Sequence, residues 1–364
     1  MLIDIIAGAR PNFMKIAPII HALESQQVRG GVLRYRLVHT GQHYDSRLSG
    51  TFFEQLGIPD PDINLEVGSG TQAEQTAAIM SRYEKILLAE PSNLCLVVGD
   101  VTSTMATAIA AQKLHIPVAH VEAGIRSGDW TMPEEINRLV TDSITNWFFT
   151  TSEIACQNLR HSGIAEERIF FVGNTMIDTL LANEERFAKP ACVSELGLEK
   201  GHYFVATLHR PSNVDTNDGF SQILRALGEG VRGAPVVFPV HPRTQKTLAQ
   251  LRVLPENIRL IDPQPYLEFN WLVKHAKGVI TDSGGITEET TVMGVPCLTL
   301  RDSTERPETV TIGTNELVGT DPSAIKPALD KLFAGEWKVG GVPPLWDGKA
   351  AERIVAHLER ILCA

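Results

Sequence analysis

A chain of 364 residues is longer than one ordinary hydrophobic core serves and predicts two domains of similar size. Its 43% hydrophobic and 21% charged residues are normal for a globular protein and exclude an extended disordered chain. The net charge of -10 includes no basic block, which argues against nonspecific nucleic-acid binding but leaves room for a local cationic pocket.

The first predicted strands are LIDIIAGA (2–9), YRLVHTG (35–41), LCLVVGD (94–100) and PVAHVEAG (117–124). They are apolar through most of their length, as parallel strands covered on both faces must be. Helices are expected over 72–90 and 102–114; the second, TSTMATAIAAQKL, is almost free of charge and should be buried. WFFTTS (147–152) and RIFFVGNT (168–175) continue the strand series. A second series follows: YFVATLHR (203–210), a helix near 218–230, PVVFPVHP (235–242), a helix near 244–252, IRLIDP (258–263), GVITDSGG (278–285) and PCLTLRD (296–302). Each half therefore reads as its own α/β layer structure, with a boundary within 170–200 and a last helix over 349–362 that either half can claim. No apolar run reaches the roughly 18 residues of a membrane span. The strand-like IDIIAGA opens the chain without a signal peptide before it, so a cytoplasmic protein is expected. Five cysteines show no CxxC or zinc spacing, and Cys95 and Cys297 read as small core residues in a reducing compartment.

Polar residues gather where the strands end: Gly8–Arg10, Gly99–Asp100, Glu122, His209, His241 and Asp282–Gly285. The carboxyl ends of strands form the ligand crevice of an open α/β sheet, and two such edges facing each other would make an interdomain cleft. In TDSGGITEE (281–289), Gly284 and Gly285 let backbone N–H groups approach an anion at a helix start, and Ser283 can cap that helix. No lysine follows as in a Walker A loop, and the dinucleotide GxGxxG is absent. Glu289, more than a turn in, is placed to accept hydrogen bonds from a sugar diol. In GARPNFMK, Arg10 and Lys15 can face the same crevice, though Arg10 is equally readable as a surface cation. His241 in PVHPR and Arg306 in RDSTERPE also follow strands, and the partner expected for this set is a diphosphate rather than a metal. No HExxH motif occurs and the 11 histidines are scattered; a metal-independent, cofactor-free reaction is expected.

Asp100, Glu122 and Glu134 form the other constellation. Glu122 interrupts a buried strand, where an unpaired charge is costly; it is either a working carboxylate or the structural partner of Arg126. Glu134 follows Pro133 at the start of a helix over 134–146, with Arg138 one turn on as the rival ion-pair explanation. His209 is either a proton donor or a settled histidine beside Arg210. Crowded carboxylates divide into acid and base, so the set points to chemistry on a sugar that carries a diphosphate. No GxSxG turn supports a serine hydrolase.

Taken together, GARPNFMKIAP (8–18), HTGQHYD (39–45), VGDVTSTMA (98–106), HVEAGIRSGD (120–129), PEEINR (133–138), GNTMID (173–178), LHR (208–210), PVHPR (239–243), TDSGGITEE (281–289) and RDSTERPE (301–308) resemble the non-hydrolysing UDP-N-acetylglucosamine 2-epimerases over nearly the whole chain. The resemblance implies two Rossmann-like domains of GT-B type: residues 1–170 with the catalytic carboxylates, residues 171–348 binding UDP, and the helix over 349–364 returning to the first. It implies a homodimer acting on a UDP-N-acetylhexosamine in polysaccharide biosynthesis. UDP leaves C1 in an anti elimination, a 2-acetamidoglucal-like intermediate forms, and UDP adds back. By the same resemblance Asp100, Glu122, Glu134 and His209 are catalytic, and Arg10, Lys15, His241, Phe269, Ser283, Gly284, Gly285, Glu289 and Arg306 hold UDP. Phe269 reads equally as a uracil contact or a core phenylalanine. Two departures stand out. The histidine motif runs HRPSN where many relatives carry an acid before the asparagine. HTGQHYD, with Gln42 and His43, differs from the form associated with allosteric activation by UDP-GlcNAc. The chain also resembles the branch acting on UDP-2,3-diacetamido-glucuronic acid. A GT-B glycosyltransferase, a hydrolysing epimerase and a nucleotide-sugar sensor are the competing readings.

Overall fold

The computed structural model describes residues 1–41, 53–240, 242–251 and 253–363, with the side chains of Arg10, Pro242, Arg243 and Lys246 outside the description. The chain forms two compact units, Met1–Ala182 joined by the segment from Pro344 onward, and Asn183–Pro343.

The first unit contains β1 (Leu2–Ala7), β2 (Arg34–His39), β3 (Ile63–Asn64), β4 (Leu94–Val98), β5 (Val118–Val121), β6 (Trp147–Thr150) and β7 (Ile169–Phe171). They lie in the order β3-β2-β1-β4-β5-β6-β7, with every pairing parallel. Their apolar runs are buried because helices cover both faces: α1 (Arg10–Val28), α2 (Gln72–Ala89), α3 (Thr102–Lys113), α4 (Pro133–Ile144), α5 (Glu153–His161) and α6 (Thr175–Asn183). A capping box starts α2, with Glu74 N–H donating to Thr71 Oγ1 at 3.3 Å and Thr71 N–H to Glu74 Oε2 at 2.9 Å. The small side chains of α3 let it sit buried along most of its length. One charge enters the sheet: Asp4 on β1 is fully buried, and Arg36 clamps both its oxygens at 2.7 and 3.0 Å while Tyr83 adds a hydroxyl at 2.8 Å.

The second unit contains β8 (Phe204–Thr207), β9 (Val236–Pro239), β10 (Ile258–Ile261), β11 (Gly278–Thr281), β12 (Cys297–Thr299) and β13 (Asn315–Leu317). Their order is β10-β9-β8-β11-β12-β13, again parallel throughout. Its helices are α7 (Ala191–Glu195), α8 (Pro211–Val214), α9 (Asn217–Gly230), α10 (Pro242–Leu248), α11 (Tyr266–Lys274), α12 (Gly284–Met293), α13 (Pro307–Thr311) and α14 (Ile325–Phe333). Phe204, Phe220, Leu224, Phe238, Ile280 and Leu298 fill the core on one face of the sheet. Both sheets thus have the doubly wound Rossmann order, with a reversal at β1/β4 and at β8/β11.

The last helix, α15 (Ala350–Cys363), belongs to the first unit. Asp178 accepts from the N–H groups of Ala350 and Ala351 at 3.1 and 2.7 Å, Trp346 Nε1 donates to Thr151 O at 2.9 Å, and Gln26 Nε2 reaches Glu359 Oε1 at 2.6 Å. Gly173 (φ +96°) allows this return: a Cβ there would lie 2.1 Å from Leu345 O. The GNTMID segment is therefore part of the first unit, and the division falls later than residue 170, at Ala182, and again at Pro344.

Candidate functional site

In a doubly wound sheet the ligand edge opens where the strand order reverses. In the first unit this edge begins with the turn from β1 to α1. Asn12 Oδ1 accepts from the N–H groups of Gly8 and Ala9 at 3.1 and 3.0 Å, and its Nδ2 donates to Val98 O at 3.0 Å, so one side chain fixes the turn to the end of β4. One turn along α1, buried Lys15 is ion-paired with Glu122, which follows β5. The backbone of Glu122 is left-handed, at φ 68°, a conformation that costs a non-glycine residue about 1–3 kcal/mol. Gly99 lies against this pair: a Cβ on its left-handed backbone would stand 3.0 Å from Lys15 Nζ and 3.4 Å from Glu122 Oε2. Asp100 follows, about a third exposed, with Arg138 Nη1 donating to its Oδ2 at 2.6 Å.

The two adjacent acids of PEEINR part company on α4. Glu135 is buried and accepts from the N–H groups of Ser127 and Gly128, each at 3.0 Å, and from Arg138 Nε at 2.9 Å. Burial pushes its carboxyl up, but those amides and Arg138 outweigh it and hold the pKa below the ordinary value. Glu134, at the second position of the helix, is only half-buried. Both structural explanations offered from the sequence are corrected here. Arg138 pairs with Glu135 and Asp100 rather than with Glu134, and Arg126 pairs with Asp142 at 2.6 Å rather than with Glu122. Helical geometry leaves Arg138 beneath the loop of residues 127–128, where two acids converge on it.

Behind the edge, His120 is fully buried with Nδ1 2.8 Å from Asp142 Oδ1 and Nε2 2.8 Å from Gly99 O. Burial raises the Asp142 carboxyl, but His120 and Arg126 outweigh that and keep its pKa low. A carboxylate on one side and a carbonyl on the other occupy both ring nitrogens of His120.

The second unit repeats the plan. His209 follows β8 and Asp282 follows β11. Asp282, fully buried, accepts from His209 Nδ1 at 2.8 Å, from the N–H groups of His209 and Arg210, and from Asn213 Nδ2 at 3.1 Å. Burial works against its charge, yet these donors hold the pKa below the ordinary carboxylate value. Next comes Ser283, which stands at the N-cap of α12 without the expected side-chain cap; instead its N–H donates to Thr281 Oγ1 at 3.0 Å. A Cβ on Gly284 would lie 2.7 Å from Glu305 Oε1, so any side chain there must displace that carboxylate. Glu305 is held down to about 2: burial raises it, but Arg301, bonded at 2.5 Å, and Arg306 dominate. Arg306 is buried against Glu288 on α12, and Arg301 Nη1 is buried without a hydrogen-bond partner among the described residues.

Glu289 is buried, and that burial pushes its carboxyl up to about 7 although Tyr266 and Asn270 hydrogen-bond to it. Phe269 on α11 packs against the apolar core that includes Tyr203, Trp271 and Leu272. Of the remaining candidates, Arg10 begins α1 with its side chain outside the description, Gly285 lies in the first turn of α12, and His241, Gln42 and His43 fall outside the described residues. Sequence reasoning placed Asp282 at a strand end without assigning it a role, and passed over Asn213, His120 and Asp142. Asp282 and Asn213 lie inside motifs it had singled out, TDSGG and HRPSN, where glycine and histidine drew the attention. Among the described residues no group of three or more His, Cys, Asp or Glu side chains could hold a metal, and no helix is long and apolar enough to cross a membrane.

Two doubly wound sheets with polar switch-point edges define a GT-B-type α/β protein. Residues 27–359 match the family model described as UDP-N-acetylglucosamine 2-epimerase, and the chain belongs to that family. It is 41% identical to the UDP-N-acetylglucosamine 2-epimerase of Methanocaldococcus jannaschii, over 98% of this chain and 99% of the relative. It is 39% identical to the UDP-2,3-diacetamido-2,3-dideoxy-D-glucuronate 2-epimerase of Pseudomonas aeruginosa, over 99% and 100%. A crystal structure of the M. jannaschii UDP-GlcNAc 2-epimerase in complex with UDP-GlcNAc and UDP matches with a TM-score of 0.89, covering 99% of this chain and 100% of that one at 41% identity. The Neisseria meningitidis UDP-GlcNAc 2-epimerase bound to UDP-GlcNAc matches at 0.88, with 29% identity over 99% and 100%.

Proposed function

We propose that this protein is a non-hydrolysing 2-epimerase that interconverts UDP-GlcNAc and UDP-ManNAc. The observation that carries the proposal is Glu122, a buried carboxylate on left-handed backbone at a switch-point edge, held by Lys15 and packed under Gly99. Strain of this kind persists where the surrounding structure over-determines it, and it concentrates at functional sites.

In this reading each residue set has its own task on a UDP-sugar. The amides at the start of α12, with Ser283, Gly284, Gly285 and the buried Arg306, carry the diphosphate, joined by Arg10, Lys15 and His241. Glu289 takes the ribose and Phe269 lies by the uracil. The C1–O bond breaks with its electron pair going to UDP, while a carboxylate of the set Asp100, Glu122 and Glu134 takes the C2 proton. The C2–H pair becomes the C1=C2 double bond of a 2-acetamidoglucal. A second acid then protonates C2 from the opposite face as a UDP oxygen returns to C1. Atoms and charge balance without a redox cofactor. Cations and amides stabilise the developing diphosphate charge, and His209 hydrogen-bonds a substrate hydroxyl. A cytoplasmic homodimer completes the proposal.

UDP-GlcNAc incubated in D2O without an acceptor should gain deuterium at C2 and convert in part to UDP-ManNAc, as followed by proton NMR. Release of free sugar with no UDP-ManNAc would show hydrolysis instead. Glu122→Gln should lower turnover roughly 10²–10⁴-fold while UDP binding stays within the same order of magnitude; equal loss of both would make Glu122 structural. The P. aeruginosa relative favours UDP-2,3-diacetamido-glucuronic acid as the second substrate to run in the same assay.

A further inference from the structure

We infer that Asp282 is a positioning residue: it fixes His209 in the tautomer that carries its proton on Nδ1 and presents Nε2 to the substrate. The inference rests on the reading above, in which His209 touches the substrate.

The geometry is one-sided. Asp282 is fully buried, whereas the His209 side chain is 42% exposed, so one edge of the ring is anchored inside the unit and the rest stands out of it. Every contact to Asp282 in this cluster comes from a donor. Oδ2 receives His209 N–H at 3.0 Å, Arg210 N–H at 2.9 Å and Asn213 Nδ2 at 3.1 Å. Oδ1 receives His209 Nδ1 at 2.8 Å and shares the His209 N–H at 3.1 Å. A carboxylate surrounded in this way is ionised and can only accept, which obliges Nδ1 to carry the hydrogen. Asn213 is itself secured, its Nδ2 also donating to Leu300 O at 3.0 Å. This gives the asparagine of HRPSN a purpose: it tethers the acid that orients the histidine. The arrangement also links the two switch-point strands, since His209 follows β8 and Asp282 follows β11.

The same donor pattern supplies the test. In Asp282→Asn, the single amide oxygen is drawn to the three donors around the Oδ2 position. The NH2 group then falls at the Oδ1 position, facing Nδ1 and donating to it. The neutral ring is forced to the Nε2–H tautomer, the consequence known for the equivalent change in a Ser-His-Asp triad. The experiment uses full-length protein with 15N-labelled histidine, and the His209 signals are assigned by their loss in His209→Ala. Wild type should show a protonated Nδ1 in the neutral ring, and Asp282→Asn a protonated Nε2. Turnover of UDP-GlcNAc should fall roughly 10²-fold or more with KM changed much less. The double variant Asp282→Asn/His209→Ala should be no slower than His209→Ala alone.

An Nε2–H tautomer in the wild type overturns the inference without recourse to any variant, so it can be tested even if Asp282→Asn does not fold. A double variant slowed by the product of the single effects also overturns it, because Asp282 would then act through something other than His209. Full activity in His209→Ala would defeat the catalytic reading of the histidine while leaving the tautomer result intact, so the two failures are distinguishable.

Discussion

Among the described residues, each unit holds an aspartate–histidine pair near the edge of its sheet, and the two pairs differ in how far the ring is exposed. In the first unit, His120 is sealed between Asp142 and the Gly99 carbonyl, so both nitrogens are committed and the ring is a brace. In the second, Asp282 is equally buried but the His209 ring is 42% exposed. The enclosed carboxylate–imidazole unit is framework; under the proposed function, the one that reaches the surface is the reagent. The brace is not idle, because the carbonyl it holds belongs to Gly99, which presses on Lys15 and Glu122.

The hardest test of this contrast is Asp142→Ala. It strips the acceptor from His120, Arg126 and the Gly124 amide at once, leaving these donors without their partner, and should cost about 3–5 kcal/mol in denaturant unfolding. Asp282→Asn, which keeps an oxygen among its donors, should cost far less stability and far more turnover. If both variants lost stability equally, the division into brace and reagent would fail.

Asp178 sharpens the comparison from another side. It too is a buried carboxylate, but it caps α15 through peptide N–H groups without an imidazole, and burial pushes it up to about 6. An acid whose pKa is raised on folding binds its proton more tightly in the folded state. Its contribution to stability therefore grows as the pH falls from about 7 to 4, by at most about 3 kcal/mol. Asp178→Asn should remove that gain, seen as a wild-type-minus-variant difference in unfolding free energy that increases as the pH falls through this window; a pH-independent or opposite trend would refute it. The mildest probe is Gly99→Ala. A left-handed alanine costs about 1–2 kcal/mol, and its Cβ presses Lys15 away from Glu122, so turnover should suffer more than the melting curve.

Much of the architecture was legible because continuous apolar runs can satisfy themselves only inside a parallel sheet, and because charge collects where such strands end. Thus Asp100, Glu122, His209 and Asp282–Gly285 all lie at strand ends by inspection. The strands Ile63–Asn64 and Asn315–Leu317 were invisible, since two or three residues carry no periodicity. The partners were less legible still. Nothing local tells that Arg138 will choose Glu135 and Asp100 over Glu134, or that Asp142 inside a helix will meet His120 on a strand. Such choices follow from which side chains the sheet order brings together, and the chain reveals that only after folding. The left-handed turn at Glu122 is likewise a tertiary outcome, as no glycine marks the position.

The crossing of residues 344–363 back onto the first unit sets an order of assembly. Translation delivers β1 to α6 long before Trp346 and α15 exist, so Thr151, Asp178 and Gln26 emerge without the groups that will meet them. The second unit, contiguous from Asn183 to Pro343, has all of its own parts by then. The half of the molecule made first is therefore finished last, and clipping its final helix would undo packing near the amino terminus, some three hundred residues away in the chain.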